Sequence, residues 1–101
     1  MEHVESVWRV PVDHPAFTGH FPGQPILPGV VLLDRALLVA QAHDGRHGGF
    51  WLVSQAKFLS PCGPGDVLGF ELRPGPRDGY AFIVRCGDRD VASGHLLPVL
   101  G

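Results

Sequence analysis

The chain has 101 residues, of which 45% are hydrophobic and 18% are charged, a balance typical of a folded globular protein. This length is enough for one domain with a modest core and too short for two, so we expect a single domain over residues 1–101. A formal net charge of −2, with the basic residues scattered along the chain, argues against nucleic acid or an anionic lipid surface as a partner.

The two cysteines, Cys62 and Cys86, lie far apart and outside any CxxC spacing. We therefore expect buried free thiols, with neither a disulfide framework nor a zinc site. The first residues lack a basic segment followed by an apolar stretch, and no segment reaches the roughly twenty apolar residues that a membrane helix needs. These features predict a cytoplasmic protein with no membrane partner.

The first half of the chain predicts one strand, one loop and one helix. Alternating hydrophobicity predicts a strand over residues 4–12, in which Pro11 indicates an edge position or the strand end. After a loop over residues 13–27, Pro28 and Gly29 open a predicted helix over residues 30–42. Gly45 provides a stop signal for this helix.

The second half predicts only strands, separated by turn clusters rich in glycine and proline. These strands cover residues 50–59, 67–72, 80–85 and 91–99. Consecutive strands with short connections form antiparallel sheets, because parallel pairs need long crossovers. One helix and about five strands predict an α+β domain in which a curved antiparallel sheet wraps around one central helix.

The predicted helix, VVLLDRALLVAQA, is apolar on nearly all sides. A helix of this kind must be covered all round, and a single sheet of this size covers only one side. A second copy of the chain can hide the remaining apolar surface, so we expect a homodimer with an isologous interface.

Two side chains are poorly suited to a purely structural role. His20 lies in the segment TGHFPGQPILPGV, where prolines restrict the backbone and glycines allow close approach. It either bonds the loop backbone or acts in catalysis. Asp34 interrupts the apolar helix, and Arg35 is a poor partner because adjacent helical residues point in different directions. A basic residue elsewhere, simple exposure or catalysis remain as explanations for Asp34.

Taken together, the two groups are the components of proton-transfer catalysis. A histidine base and a carboxylic acid can remove and deliver a proton near neutral pH. If the helix begins near Gly29, its free N–H groups face the loop that carries His20 and could polarise a carbonyl oxygen.

The string HFPGQPILPGV followed by LLD resembles the active-site signature of the hot-dog-fold β-hydroxyacyl-acyl-carrier-protein dehydratases. AKF at residues 56–58, PGD at 64–66 and VASG at 91–94 extend the resemblance over nearly the whole chain. It implies the hot-dog fold, with active sites at the interface of a homodimer. It also implies an acyl carrier protein or coenzyme A thioester as substrate, and no metal or other cofactor.

The resemblance also implies roles for the site residues. His20 would remove the C2 proton of a 3-hydroxyacyl thioester, and Asp34 of the other subunit would protonate the departing C3 hydroxyl. The Gly29 N–H would hold the thioester carbonyl, and the products would be a trans-2-enoyl thioester and water. Residues expected to line the acyl tunnel are Phe21, Pro28, Val30 and Phe58.

One position departs from the family pattern. Many members have a glutamine one helical turn after the acid to orient it, whereas this chain has Leu38. With the short length and the string LLDRAL, this suggests the smaller dehydratases of aryl-polyene pathways. Two alternatives remain: a hot-dog acyl thioesterase, and a non-catalytic acyl-binding or scaffold subunit, for which Leu38 is the best support.

The remaining candidates favour structural roles. Core or dimer packing is preferred over tunnel lining for the large aromatic residues Trp8, Phe50, Trp51, Phe58 and Phe70. Surface solvation is preferred over phosphopantetheine contact for Lys57 and Arg85, and His95 is expected to be structural or exposed in a strand.

Overall fold

The structure is a computed structural model, and it describes residues 3–17, 26–44 and 50–99, without the side chains of Asp44 and Phe50. The helix begins at Gly29, as the sequence predicts, whereas the first strand ends at Arg9, three residues short of the predicted range 4–12; the stop at Gly45 lies outside the described residues. The elements in chain order are β1 (Val4–Arg9), α1 (Gly29–Asp44), β2 (Phe50–Phe58), β3 (Val67–Pro74), β4 (Tyr80–Cys86) and β5 (Arg89–Val99).

The strands form one sheet in the order β1-β3-β4-β5-β2, with every neighbouring pair antiparallel. β1 therefore lies at an edge, as Pro11 indicates, and β2 forms the opposite edge. A bulge interrupts the pairing of β2 with β5 between Val53 and Gln55. Bulges bend a strand and increase its twist, which helps the sheet to curve.

The core lies between α1 and the inner strands of the sheet, with β3 and β4 facing the helix and β5 adding Val91, Ala92 and Leu96. Strand alternation sends one face of each strand inward: Leu68, Phe70 and Leu72 on β3, and Tyr80, Phe82 and Val84 on β4. α1 buries Leu32, Ala36 and Ala40, which are four residues apart and so share one face. The two small alanines let the helix backbone approach the sheet closely.

The opposite side of α1 is uncovered in the single chain. Its members, Val30, Asp34, Leu38 and Ala42, are all exposed and are called the exposed helix face below. Val30 is 69% exposed and Leu38 is 52% exposed, although both are large apolar residues. The expectation that one sheet covers only one side of the helix is therefore confirmed. In the described part of the chain, no helix has the length and apolar character needed to cross a membrane.

Candidate active site

The predicted site residues fall into two groups. Phe21 and the predicted base, His20, lie outside the described residues, so their roles stay predictions. Gly29 is the first residue of α1, and Asp34 follows on the exposed helix face. Three predicted tunnel residues lie around one cavity together with Gly29: Pro28, Val30 and Phe58.

This cavity has a volume of about 540 Å³ and a mostly apolar lining. One wall is the chain that enters α1, and the other is the chain that leaves β2. The two walls are joined by a backbone hydrogen bond of 2.8 Å from the Leu27 N–H to the Cys62 carbonyl. The full lining is residues 26–30, Leu32 and residues 58–62. Such a groove can take an acyl chain or another apolar group.

The amino end of α1 opens onto this cavity through Gly29. The first N–H groups of a helix have no partner within the helix. The Val31 N–H donates to the Pro28 carbonyl at 3.0 Å, whereas the Gly29 N–H has no acceptor in the described ranges. An unpaired amide at the positive end of a helix stabilises a carbonyl oxygen that gains negative charge.

Asp34 lies on the exposed helix face between Val30 and Leu38. Its five-residue separation from Gly29 corresponds to about 7.5 Å along the helix axis. Within the described ranges, no basic side chain forms an ion pair with it. No lysine or arginine of the described ranges therefore holds Asp34, and the three explanations given for this residue remain predictions.

Arg35 is occupied elsewhere, as the helix geometry predicts. Its guanidinium carbon lies 4.4 Å from the centre of the Trp8 ring, a cation–π geometry. The Trp8 ring meets His14 edge-on at 6.0 Å, and His14 meets Phe17 at 6.1 Å. The Ala16 N–H also donates to Nδ1 of His14 at 3.0 Å. These contacts hold the segment that leads toward residue 18 in a defined conformation next to α1.

The large aromatic residues divide by burial. Phe70 is in the core, and Trp8 and Trp51 are half-buried and pack against it, so a packing role is confirmed for these three. For Phe58 a core position is wrong, because its side chain is 55% exposed and lines the cavity. The end of β2 projects this ring away from the core and over the amino end of α1. The side chain of Phe50 lies outside the described part of the chain.

The polar candidates on the strands are surface residues. Lys57 is exposed, and Arg85 is exposed and donates from Nε to Oδ1 of Asp90 at 2.9 Å. His95 is half-buried in β5. None of the three lines the cavity beside Gly29.

One group of side chains has the residue types of a metal site. The candidate ligand atoms of His3, just before β1, Glu5 of β1 and Glu71 of β3 lie within 4.8 Å of one another. Glu71 already accepts a hydrogen bond of 2.7 Å from Nε of Arg73, and His3 lies 3.3 Å from Glu5. This group is explained as an exposed ion-pair network remote from the cavity lining.

Cys62 is a buried free thiol in the cavity wall, as predicted, whereas Cys86 is only half-buried. Burial, with a smaller contribution from the nearby Asp66 carboxylate, raises the pKa of the Cys62 thiol from 9.0 to about 11. The thiolate is the nucleophilic form of cysteine. Cys62 is therefore protonated and unreactive near neutral pH, and it serves as wall rather than nucleophile.

The raised pKa predicts a loss of stability at alkaline pH. Below pH 9 the thiol is protonated in both the folded and the unfolded chain. Between pH 9 and about pH 11 only the unfolded chain releases the proton readily, so the free energy of unfolding decreases over this range. The free energy of unfolding, measured by urea denaturation from pH 8 to 11, should fall less in Cys62→Ala than in the wild type, by up to about 2 kcal/mol. Cys86→Ala is the matched control and should keep the wild-type slope; equal slopes in all three proteins would contradict the assignment.

A family model decides the identity of the chain. The model described as "ApeI-like: ApeI dehydratase" matches residues 1–95. The chain belongs to the ApeI-like dehydratase family. Its helix begins at Gly29, and its five-stranded antiparallel sheet is the hot-dog sheet that the resemblance implies.

A curated relative agrees with the family. The ApeI-like chain is 37% identical over 88 residues to the 3-hydroxyacyl-[acyl-carrier-protein] dehydratase FabZ of Rhizobium johnstonii, a match that covers 80% of this chain and 57% of the relative. The chain spans about half the length of the curated relatives it matches.

Solved structures agree on the fold. The dehydratase heterocomplex ApeI:P of Xenorhabdus doucetiae matches with a TM-score of 0.84 at 24% identity, covering 97% of this chain and 88% of that one. The fluoroacetyl-CoA-specific thioesterase FlK matches with a TM-score of 0.66 at 13% identity, covering 97% of this chain and 92% of that one. Because a dehydratase complex and a thioesterase both match, the fold alone does not separate the two activities.

The sequence did not predict some of the residues that line the cavity. The cavity wall after β2 includes Leu59, Ser60 and Cys62, none of which was predicted to face a substrate. The pairing of Arg35 with Trp8 was also missed. The apolar pattern gave no signal for either, because both depend on how distant segments meet in the fold.

Proposed function

We propose that this ApeI-like protein dehydrates 3-hydroxyacyl thioesters, carried on an acyl carrier protein, to trans-2-enoyl thioesters. The observation that carries the proposal is the apolar cavity at the amino end of α1, where the Gly29 amide has no acceptor among the described residues. The FabZ relative, named as an enzyme of this type, supports the same reaction.

The chemistry follows from the proposed roles. His20 takes the C2 proton, and the electron pair moves toward the thioester carbonyl, whose oxygen gains charge and accepts a hydrogen bond from the Gly29 N–H. When the C3–O bond breaks, Asp34 donates a proton to the departing hydroxyl, which leaves as water. The reaction leaves His20 protonated and Asp34 ionised, so a proton must return to Asp34 before the next turnover.

A homodimer completes the proposal. The exposed helix face carries Val30 and Leu38 on either side of Asp34, and the β2 edge adds the exposed Leu52 and Phe58. A second copy that covers these apolar side chains would bring Asp34 of the partner subunit to the site that His20 forms. We also propose that residues 1–101 form a single hot-dog domain and that the protein acts in the cytoplasm. The ApeI:P structure is described as a heterocomplex, which makes a complex with a different hot-dog chain the alternative outcome.

The substrate proposed is a β-hydroxy polyenoyl or aryl chain of the aryl-polyene type. The string LLDRAL and the short length, which resemble the smaller dehydratases of aryl-polyene pathways, support this choice. The exposed Leu38 replaces the glutamine that orients the acid in many dehydratases. This one feature favours a non-catalytic acyl-binding role. That role predicts that the protein binds thioesters without turning them over.

The purified protein should be incubated with 3-hydroxyacyl and with enoyl thioesters of short, long and polyenoyl chains, while enoyl absorbance and free thiol are followed. We expect reversible interconversion of the two thioesters with no thiol release. His20→Ala and Asp34→Asn should each lower the rate by about a hundredfold or more, because each removes a proton-transfer group. Thiol release in place of interconversion would instead indicate a thioesterase. Turnover of no substrate would overturn the proposal.

A further inference from the structure

The Phe58 ring lies in the space that a side chain on the first residue of α1 would occupy. A Cβ atom built on Gly29 would lie 2.6 Å from Cε1 and 2.7 Å from Cζ of the Phe58 ring. Carbon atoms do not approach that closely, so a methyl group at residue 29 would have to displace either the ring or the helix end. The room that Gly29 leaves is therefore filled by this chain's own aromatic ring, which occupies the side-chain position.

The ring is held on a well-anchored backbone. Phe58 ends β2 opposite Ala92 of β5, and the following Leu59 N–H donates to the Val91 carbonyl at 2.9 Å. Oγ of Ser60 donates to the Asp90 carbonyl at 2.8 Å. This wall of the cavity is therefore fixed to β5, the neighbouring strand of the sheet. Because Phe58 is 55% exposed, its ring adds little to the core.

We propose that Phe58 is a positioning residue, whose ring sets where the amino end of α1, and with it the Gly29 amide, stands relative to the cavity. The inference rests on the proposed function, in which that amide holds the thioester carbonyl. A misplacement of about 1 Å at a reacting centre can lower a rate a hundredfold, so the contact has a kinetic consequence beyond its contribution to stability. Phe58 acts through Gly29 and does not itself transfer a proton.

The test compares Gly29→Ala, Phe58→Ala and the double variant by kcat, KM and urea denaturation. Gly29→Ala alone should lower kcat about tenfold or more, because its methyl group displaces the ring and the helix end. Phe58→Ala should lower kcat with little change in KM. In the double variant, the added Gly29→Ala should lower kcat much less than Gly29→Ala does alone, because the ring that its methyl group would meet is absent. Phe58→Tyr keeps the ring and should keep most of the activity.

Val7→Ala is the matched control, since Val7 is also a large exposed residue, 72% exposed, and lies on β1 away from the cavity. If the reductions in log kcat caused by Gly29→Ala and Phe58→Ala simply add in the double variant of an active enzyme, the positioning role is overturned and the proposed function is left intact. A rise in KM that grows with acyl length, at unchanged kcat, would likewise overturn it, because Phe58 would then be binding the chain. A wild-type protein without dehydratase activity would overturn both proposals, even if the denaturation data still showed coupling between the two positions.

Discussion

Mixing two inactive variants, His20→Ala and Asp34→Asn, should restore dehydratase activity. If the base and the acid of each site come from different subunits, a mixed dimer has one complete site and one that lacks both groups. Unfolding and refolding an equimolar mixture should give about a quarter of the wild-type activity, because about half of the dimers are mixed and each has one working site of two. The measurement is the rate of enoyl thioester formation before and after subunit exchange.

The double variant His20→Ala/Asp34→Asn, exchanged with wild-type subunits, is the control. Its mixed dimers hold no site with both groups. After exchange at equal amounts, about half of the wild-type subunits are in mixed dimers, so the total activity should fall to about half of its value before exchange. Failure of the single variants to complement, while native mass spectrometry shows mixed dimers, would mean that both groups belong to the same subunit. A monomer by sedimentation would contradict the dimer itself and point to a different partner chain on the exposed helix face.

The fold was predictable because its signals are local and repeated. Proline and glycine at residues 28 and 29 mark where α1 begins. The glycine-rich and proline-rich turns separate strands that then pair in antiparallel fashion. Strand ends were less exact: the predicted strand over residues 4–12 stops at Arg9, because its pairing with β3 ends there.

The candidate site was predictable only in part. Residue types and their order are enough to single out Gly29, which with Pro28 marks the helix start, and Asp34, an acid in an apolar helix. Only the family resemblance predicted that Phe58 lines the tunnel, and its position against Gly29 was not predicted. In sequence it is an aromatic residue at the end of an apolar strand, which favours a core position, whereas in the fold it lies over Gly29, twenty-nine residues earlier. Such contacts depend on tertiary packing that no local pattern encodes.

The largest effect on stability is expected from Gly94→Ala in β5. A Cβ atom at this position would overlap the backbone carbonyl of Gln55 in β2 and lie 2.7 Å from the Phe82 ring in β4. Gly94 is paired with Ala56 on one side and Phe82 on the other, so the backbone has little room to move. The free energy of unfolding by urea should fall by about 3 kcal/mol, the upper end of the usual cost of overpacking an interior, because the added methyl group meets backbone on β2.

Gly69→Ala in β3 is the matched control, because the nearest atom to its added methyl group, the Arg85 carbonyl oxygen, is 4.0 Å away. This substitution should leave stability unchanged or raise it by up to about 1 kcal/mol, since alanine loses less backbone entropy than glycine on folding. Similar losses in both variants would show that the close approach at Gly94 is not the cause. If Gly94→Ala separates β2 from β5, it also moves Phe58 away from Gly29. Dehydratase activity should then be lost in samples that circular dichroism still finds folded, which would tie the β2 edge of the sheet to the chemistry at the start of α1.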